Sequence, residues 1–320
     1  MADSKRPSAE EIILYEKDPK TKIATMTFNR PDYLNAPTAA ARLRYADLLH
    51  RANVDDDVKV LVIRGAGDNL GTGADIAEVM EMHEAPTAGP RLSELRIGED
   101  EVTHPPKDSY RYGATLGQYY ASTQGGCRSL QEFKKISILE VKGYCYGWHF
   151  YQAADADLVI SSDDALFGHP AFRYIGWAPR MWTWVQTIGL RKFQEMVFTG
   201  RPFSAEEMYD CNFLNSVVPR DDLEAEVEKY ALACSRNRPT DTVFMQKVFF
   251  EMYKQHQGEY MGSIMTGLFE SIGNIARPDG DGMVLDEDAV AGGVPNAVRD
   301  NDNLFPPEWR LSRSGRKKSK

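Results

Sequence analysis

Two short glycine-bounded stretches are the parts of this chain best suited to hold a developing negative charge. Gly71-Thr-Gly73-Ala74-Asp75-Ile76 and Gly143-Tyr-Cys-Tyr-Gly147-Trp148-His149 each follow an apolar run and lead into a helix-compatible segment. Small residues let the backbone approach a ligand closely, and the first N–H groups of a helix have no partner of their own. Brought together, two such turns would offer two N–H donors to one oxyanion, each typically worth about 2.7–4 kcal/mol of barrier. His149 and His169 lie near the second turn and belong to the one residue type that changes charge near neutrality. His83 and His104 fall in a long proline-bearing stretch, whereas His50 and His256 end helical segments and read as surface residues.

Other chemistries are excluded by their spacing. Gly65-Ala-Gly67-Asp-Asn-Leu-Gly71 approaches the dinucleotide fingerprint G-x-G-x-x-G, but its third glycine comes one position late for close helix–strand packing. There is no phosphate-loop motif and no G-x-S-x-G nucleophile elbow. The cysteines Cys127, Cys145, Cys211 and Cys234 are far apart, which argues against a zinc knuckle or a disulfide framework, and no histidine–carboxylate spacing suggests a metal. Thirty-eight basic against 47 acidic residues leave a charge of −9, the wrong sign for nucleic acid. No run reaches the ~18 apolar residues of a membrane span, and the first residues carry no secretory apolar core, so a cytoplasmic protein off the membrane is expected.

The elements that must position these residues follow from periodicity. Residues 11–15 and 22–28 read as a hairpin across Asp18-Pro19-Lys20, and 38–53 as a helix. Val58–Arg64 reads as a buried strand, 74–82 as a helix, and 83–107, with Pro86, Pro90, Pro105 and Pro106, as a long loop. A helix is expected over 110–135, strands over 136–142 and 158–161, and helices throughout from Ser204, the last over 286–299. The expected organisation is an α/β core over 1–220, a helical region over 221–305, and a basic tail over 306–320, its last part a solvated, frayed terminus.

Taken in order, the motifs resemble those of the crotonase (enoyl-CoA hydratase/isomerase) superfamily. Asn29-Arg-Pro-Asp-Tyr-Leu-Asn35-Ala36 resembles its N-R-P-x-x-x-N-A signature, Gly73-Ala74-Asp75-Ile76 its A-G-A-D-[IL] segment, and Val141-Lys-Gly143-Tyr-Cys-Tyr-Gly147 its second glycine turn. Asp157-Leu-Val-Ile with Ala165-Leu-Phe-Gly168-His-Pro170, then Phe198-Thr-Gly200, Val217-Val-Pro219 and Glu287-Asp288-Ala289, complete a match over roughly 11–305. The resemblance implies a spiral of ββα turns with a C-terminal helical region, assembled as a homotrimer or a hexamer built as a dimer of trimers. It implies an acyl-CoA thioester substrate, whose coenzyme A is part of the substrate and not a resident cofactor. It also implies an enolate held by the N–H groups of Ala74 and Trp148, with coenzyme A passing along Ala74, Asp75, Ile76 and Ala77.

Two positions depart from the pattern. Where hydratases of this family carry two glutamates, this chain has Tyr151 and Ala171. Alanine cannot move a proton, and a phenol with an ordinary pKa near 10 is a poor base. Tyr151, His149 and His169 are the candidate replacements. The aromatic run from Tyr144 to Tyr151 suggests a bulky or aromatic acyl group, with Trp148 and Tyr151 lining its pocket, and Arg173 and Tyr174 could meet a polar substrate end. Enolate chemistry without the glutamate pair also suits a C–C bond hydrolase or retro-aldol lyase of the same fold. Loss of both carboxylates also suits a catalytically silent relative that binds acyl-CoA.

Overall fold

Runs of β-branched and aliphatic residues become strands, and their alternation decides which face of a sheet each side chain joins. The computed structural model describes residues 6–84, 102–123, 127–273 and 292–316. In chain order its strands are β1 (Ile13–Asp18), β2 (Ile23–Phe28), β3 (Val60–Gly65), β4 (Ile136–Val141), β5 (Tyr144–Tyr146), β6 (Leu158–Ser162), β7 (Leu166–Gly168), β8 (Phe203–Ser204) and β9 (Ser216–Val218). One sheet has the order β1-β2-β3-β4-β6-β9, antiparallel only between β1 and β2, and a second has the order β5-β7-β8. The expected α/β architecture with a helical C-terminal region is present.

Central parallel strands are covered on both faces, so they read as unbroken apolar runs. In β3, Leu61 and Ile63 join Ala24, Met26 and Phe28 and, from the helix Ala39–Val54, Tyr45, Leu48 and Leu49. Val60 and Val62 face the opposite way and pack with Ile138 and Ile160 under Leu223, Val227 and Ala231 of the helix Leu223–Arg236. Each such fully buried aliphatic side chain contributes roughly 1.5–3 kcal/mol.

The helix Glu259–Gly273 is held to this core by glycines and by charge. It crosses the helix Tyr110–Ala121 so closely that a Cβ on Gly267 would lie 2.9 Å from the carbonyl oxygen of Gly117. At its start Glu259 is fully buried and receives bonds from Arg128 Nε (3.0 Å), Arg128 Nη2 (2.7 Å) and Arg180 Nη1 (2.8 Å), while Arg180 Nη2 donates to Asp155. Two guanidinium groups face two carboxylates, so no net charge is buried. Burial acts to raise the Glu259 carboxyl, but the Arg128 bonds and the charge of Arg180 prevail and hold it down to about 2.

Several sequence expectations are corrected. The helix expected over 110–135 stops at Ala121, and residues 127–132 fold as turns. The region after Ser204 is not wholly helical, because β9 extends the large sheet beside β6. Ala9–Ile12 is a helical turn with a Ser8 capping box, which delays the hairpin to Ile13. The tail does not stay in solvent through its described part: Leu311 is buried, and Arg313–Arg316 is a short helix. Pro86, Pro90 and the Glu287-Asp288-Ala289 motif lie outside the described residues.

Removing one partner of a buried ion cluster typically costs about 3–5 kcal/mol. Glu259→Gln is therefore expected to lower the thermal midpoint by many degrees at neutral pH, measured by calorimetry, and an unchanged midpoint would contradict this role.

Candidate active site

Three chain segments bring their C-terminal ends to one place. The stretch 69–72 lies against β5 as an extra parallel segment: the Gly71 N–H donates to Tyr144 O (2.8 Å), and the Tyr146 N–H donates to Gly71 O (3.0 Å). β5 in turn runs parallel to β7, and the Gly147 N–H donates to Gly168 O (3.2 Å). The residues that follow these three ends are Gly73-Ala74, Gly147-Trp148 and His169. Ligands of parallel sheets bind beyond such carboxyl ends.

Contact between the first two ends is as close as backbones allow. Gly147 takes φ 56° and ψ −120°, and a Cβ there would meet Gly73 Cα at 2.6 Å. A Cβ on Gly73 would lie 3.8 Å from the Trp148 nitrogen, so that N–H borders Gly73. Trp148 opens the helix Trp148–Asp155, and among the described residues neither its N–H nor that of Ala74 has an acceptor. Both sequence-predicted donors thus sit at the junction of the two turns.

His169 borders the same junction, its Nδ1 3.9 Å from where a Gly147 Cβ would stand. The ring is nine-tenths buried; neither nitrogen makes a well-aligned hydrogen bond among the described residues, and the Trp177 backbone is close enough to act weakly to raise its pKa. Burial drives its pKa down to about 3, so the ring is neutral at physiological pH. Tyr151 lies beside it with ring centroids 5.5 Å apart, and burial pushes that phenol well above its ordinary range, keeping it protonated. Ala171 begins the short helix Ala171–Tyr174 two residues beyond His169.

His149 sits differently. Its ring has no exposure, and Nε2 lies 3.0 Å from the Asn35 carbonyl, which can only accept, so Nε2 carries the proton. A Cβ on Gly71 would overlap this ring at 2.3 Å, and Phe28 packs edge-on against it at 4.7 Å. Burial lowers its pKa to about 4. The geometry makes His149 a packed prop beneath the first turn. The Trp148 indole is likewise turned into the core against Tyr45 (4.9 Å) and Phe28 (5.6 Å), which corrects its reading as a pocket wall. Arg173 is also corrected: its guanidinium bonds Gly200 O, Asp302 and Trp309 O, and its side chain is only 2% exposed, so it does not face a substrate.

Asp75 faces inward, where its Oδ2 accepts from Arg30 (2.6 Å) and its Oδ1 from the Glu78 N–H (3.1 Å). Burial opposes its ionisation, yet the Arg30 and Glu78 bonds leave the carboxyl below its usual range. Ile76 and Ala77 are exposed on the first turn of the helix Ile76–Glu84. Two positioning residues went unassigned in the sequence although their motif was quoted. Asn35 takes the Arg30 N–H on Oδ1 (2.9 Å) and donates from Nδ2 to Ala66 O and Asn69 O (both 2.9 Å), while Arg30 ties that loop to Asp75. A cleft of about 790 Å³ lies elsewhere, along Asp157, Gln186, Lys192 and Cys211. Among the described residues no cluster of three potential metal ligands occurs. None of the described helices is long and apolar enough to cross a membrane.

Comparison with known proteins identifies the family and the fold. The family model for enoyl-CoA hydratase/isomerase matches residues 108–279, more than half of the chain. A putative enoyl-CoA hydratase of Mycobacterium tuberculosis, EchA13, is 28% identical over 247 residues, 71% of this chain and 70% of that protein. The mevalonyl-coenzyme A hydratase sidH of Aspergillus fumigatus is 26% identical over 251 residues, 77% of this chain and 79% of that one. An enoyl-CoA hydratase structure from Mycobacterium smegmatis superposes with a TM-score of 0.75 at 24% identity, covering 92% of this chain and 94% of that one. The fold is thus that of the crotonase superfamily. The chain belongs to the enoyl-CoA hydratase/isomerase family.

The two buried histidines set a pH dependence. Each has a folded pKa below the unfolded value of about 6.5, so below that pH the unfolded chain binds protons that the folded one refuses. Stability should fall as pH drops from about 6.5 towards the folded values of about 4 and 3. Urea midpoints across that window should fall less steeply in His169→Gln than in the parent, and equal slopes would show that His169 is not buried in its neutral form.

Proposed function

We propose that this chain acts on an acyl-CoA thioester through an enolate whose oxygen is held by the N–H groups of Ala74 and Trp148. The observation that supports this reading is the Gly73–Gly147 contact, beside which neither the Ala74 nor the Trp148 N–H has an acceptor among the described residues. Preorganised donors of this kind stabilise charge that develops only in the transition state. Coenzyme A enters as part of the substrate and runs along the exposed start of the helix at Ile76 and Ala77.

His169 serves as the base. The C–H bond next to the thioester carbonyl breaks, its proton goes to an imidazole nitrogen, and its electron pair becomes the enolate π bond as the carbonyl oxygen takes the charge. That charge offsets the burial that otherwise disfavours the imidazolium. Tyr151, kept protonated, is the neighbouring donor. The acyl group is a bulky or aromatic one, as the rings of Tyr151, His169 and Phe172 gather behind the Gly147 turn. His149 has no part in proton transfer.

Deuterium uptake at the carbon next to the carbonyl tests the scheme directly. Butyryl-CoA and 3-phenylpropionyl-CoA in deuterated buffer should gain deuterium, read by mass spectrometry, and His169→Gln should slow this by about 10²–10⁴-fold. Equal rates would remove His169 from the scheme. No uptake by the parent would refute the enolate. With cinnamoyl-CoA, a hydrated thioester would make the enzyme a hydratase, whereas C–C cleavage would make it a lyase. Coenzyme A binding without turnover would leave a silent relative.

We also infer a homotrimer or hexamer. Met245, Phe249, Met252 and Met261 on the C-terminal helices are each more than 60% exposed, the kind of apolar surface that an interface between copies would cover. Met245 and Phe249 share one helix face. Sedimentation should give a trimer or hexamer for the parent and smaller species for Met245→Glu with Phe249→Glu, whereas a monomeric parent would contradict the assembly. Four free thiols are in keeping with a cytoplasmic location.

A further inference from the structure

The segment Asp302–Arg316 grips the two strands whose ends carry the candidate site. Asp302 folds the segment on itself, taking the Leu311 N–H on Oδ1 (2.7 Å) and the Ser312 N–H on Oδ2 (3.1 Å). The loop so formed reaches β5 at both of its tyrosines: Tyr146 Oη donates to Leu311 O (2.8 Å), and the Arg313 N–H donates to Tyr144 Oη (2.7 Å). Leu311 packs with Tyr144, Tyr146 and Leu166, the last of these on β7. Arg313 also pairs with Asp164, just before β7, on the same Oδ2 that Arg220 Nη1 holds at 2.7 Å.

A second hold lies beyond β7. Arg173, four residues after His169, donates from Nη1 to Asp302 Oδ1 (2.9 Å) and from Nη2 to Trp309 O (2.7 Å), and its guanidinium lies 3.6 Å from the Phe305 ring centroid. Its side chain is 2% exposed. One segment is therefore bonded both to the strand leading into Gly147-Trp148 and to the helix following His169.

We propose that Asp302–Arg316 is a positioning clamp for the active site, with Tyr146 and Arg173 as its two holds. It fixes the spacing between the Gly147 turn and His169, on which proton transfer to a held enolate depends, and it touches no substrate. This inference rests on the enolate reading above.

Arg173→Met and the milder Tyr146→Phe test it. Trypsin reports release of the clamp at Arg310, Arg313 and Arg316, and amide hydrogen exchange over 144–151 reports the order of the turn. Both variants should show faster cleavage and faster exchange there, with β2 and β3 as protected as in the parent. Deuterium uptake into saturating butyryl-CoA should fall about tenfold or more, while coenzyme A affinity by titration calorimetry stays within about twofold. Arg173→Lys, which keeps one charge-assisted bond, should restore part of the rate. A clamp that stays resistant to trypsin, or one that is released without change at 144–151 or in rate, overturns the inference. If Arg173→Met fails to fold, Tyr146→Phe decides. If the parent itself exchanges no deuterium, the enolate reading fails, and amide exchange at 144–151 still decides for or against the clamp.

Discussion

The enolate chemistry proposed for this protein depends on two backbones touching at Gly73 and Gly147. Gly147 sits at φ 56°, where a side chain is strained, and its missing Cβ is the space that Gly73 Cα occupies. Any side chain would push the two turns, and with them the Ala74 and Trp148 N–H groups, apart. The small sheet sets the approach, since the 69–72 stretch, β5 and β7 run parallel and end together. The surrounding hydrogen bonds serve this contact. Asn35 and Arg30 hold the first turn, the His149 ring fills the space beneath it, and Gly168 O holds the second.

The buried charges do related work at longer range. Asp155 ends the helix that Trp148 begins, and Arg180 connects it to Glu259 on the C-terminal helix. Anchoring both ends of that short helix keeps its first N–H in place. The pair spans 79 residues of sequence, and Arg128 reaches the same carboxylate across 131. Such a network costs desolvation and returns it only when every charge is matched.

Much of the fold was legible because strands and glycine turns are local signals. The runs at 22–28, 58–64 and 136–142 sit where their composition placed them, and both glycine turns lead into helices. Of the candidate site, the resemblance named Ala74 and Trp148 as donors and left Tyr151, His149 and His169 as alternatives for proton transfer, and no local pattern chooses among those three. What stayed hidden is long-range. The inward turn of the Trp148 indole depends on Phe28 and Tyr45, which no local pattern couples to it. The use of His149 as a prop depends on the Asn35 carbonyl, which lies 114 residues away. Docking of the tail depends on Arg173 meeting Asp302, and a run of basic residues looks the same in sequence whether or not such partners exist.

The most direct measurement is the backbone amide signal of Trp148 in protein labelled with 15N-tryptophan, titrated with acetoacetyl-CoA, whose enolate mimics the proposed intermediate. The chain has five tryptophans, and Trp148→Phe identifies the one signal required. A strengthened hydrogen bond should move the Trp148 amide proton downfield with acetoacetyl-CoA and leave it in place with free coenzyme A. If acetoacetyl-CoA binds and that signal does not move, the enolate oxygen is not held at the Gly73–Gly147 junction, and the account is wrong at its centre.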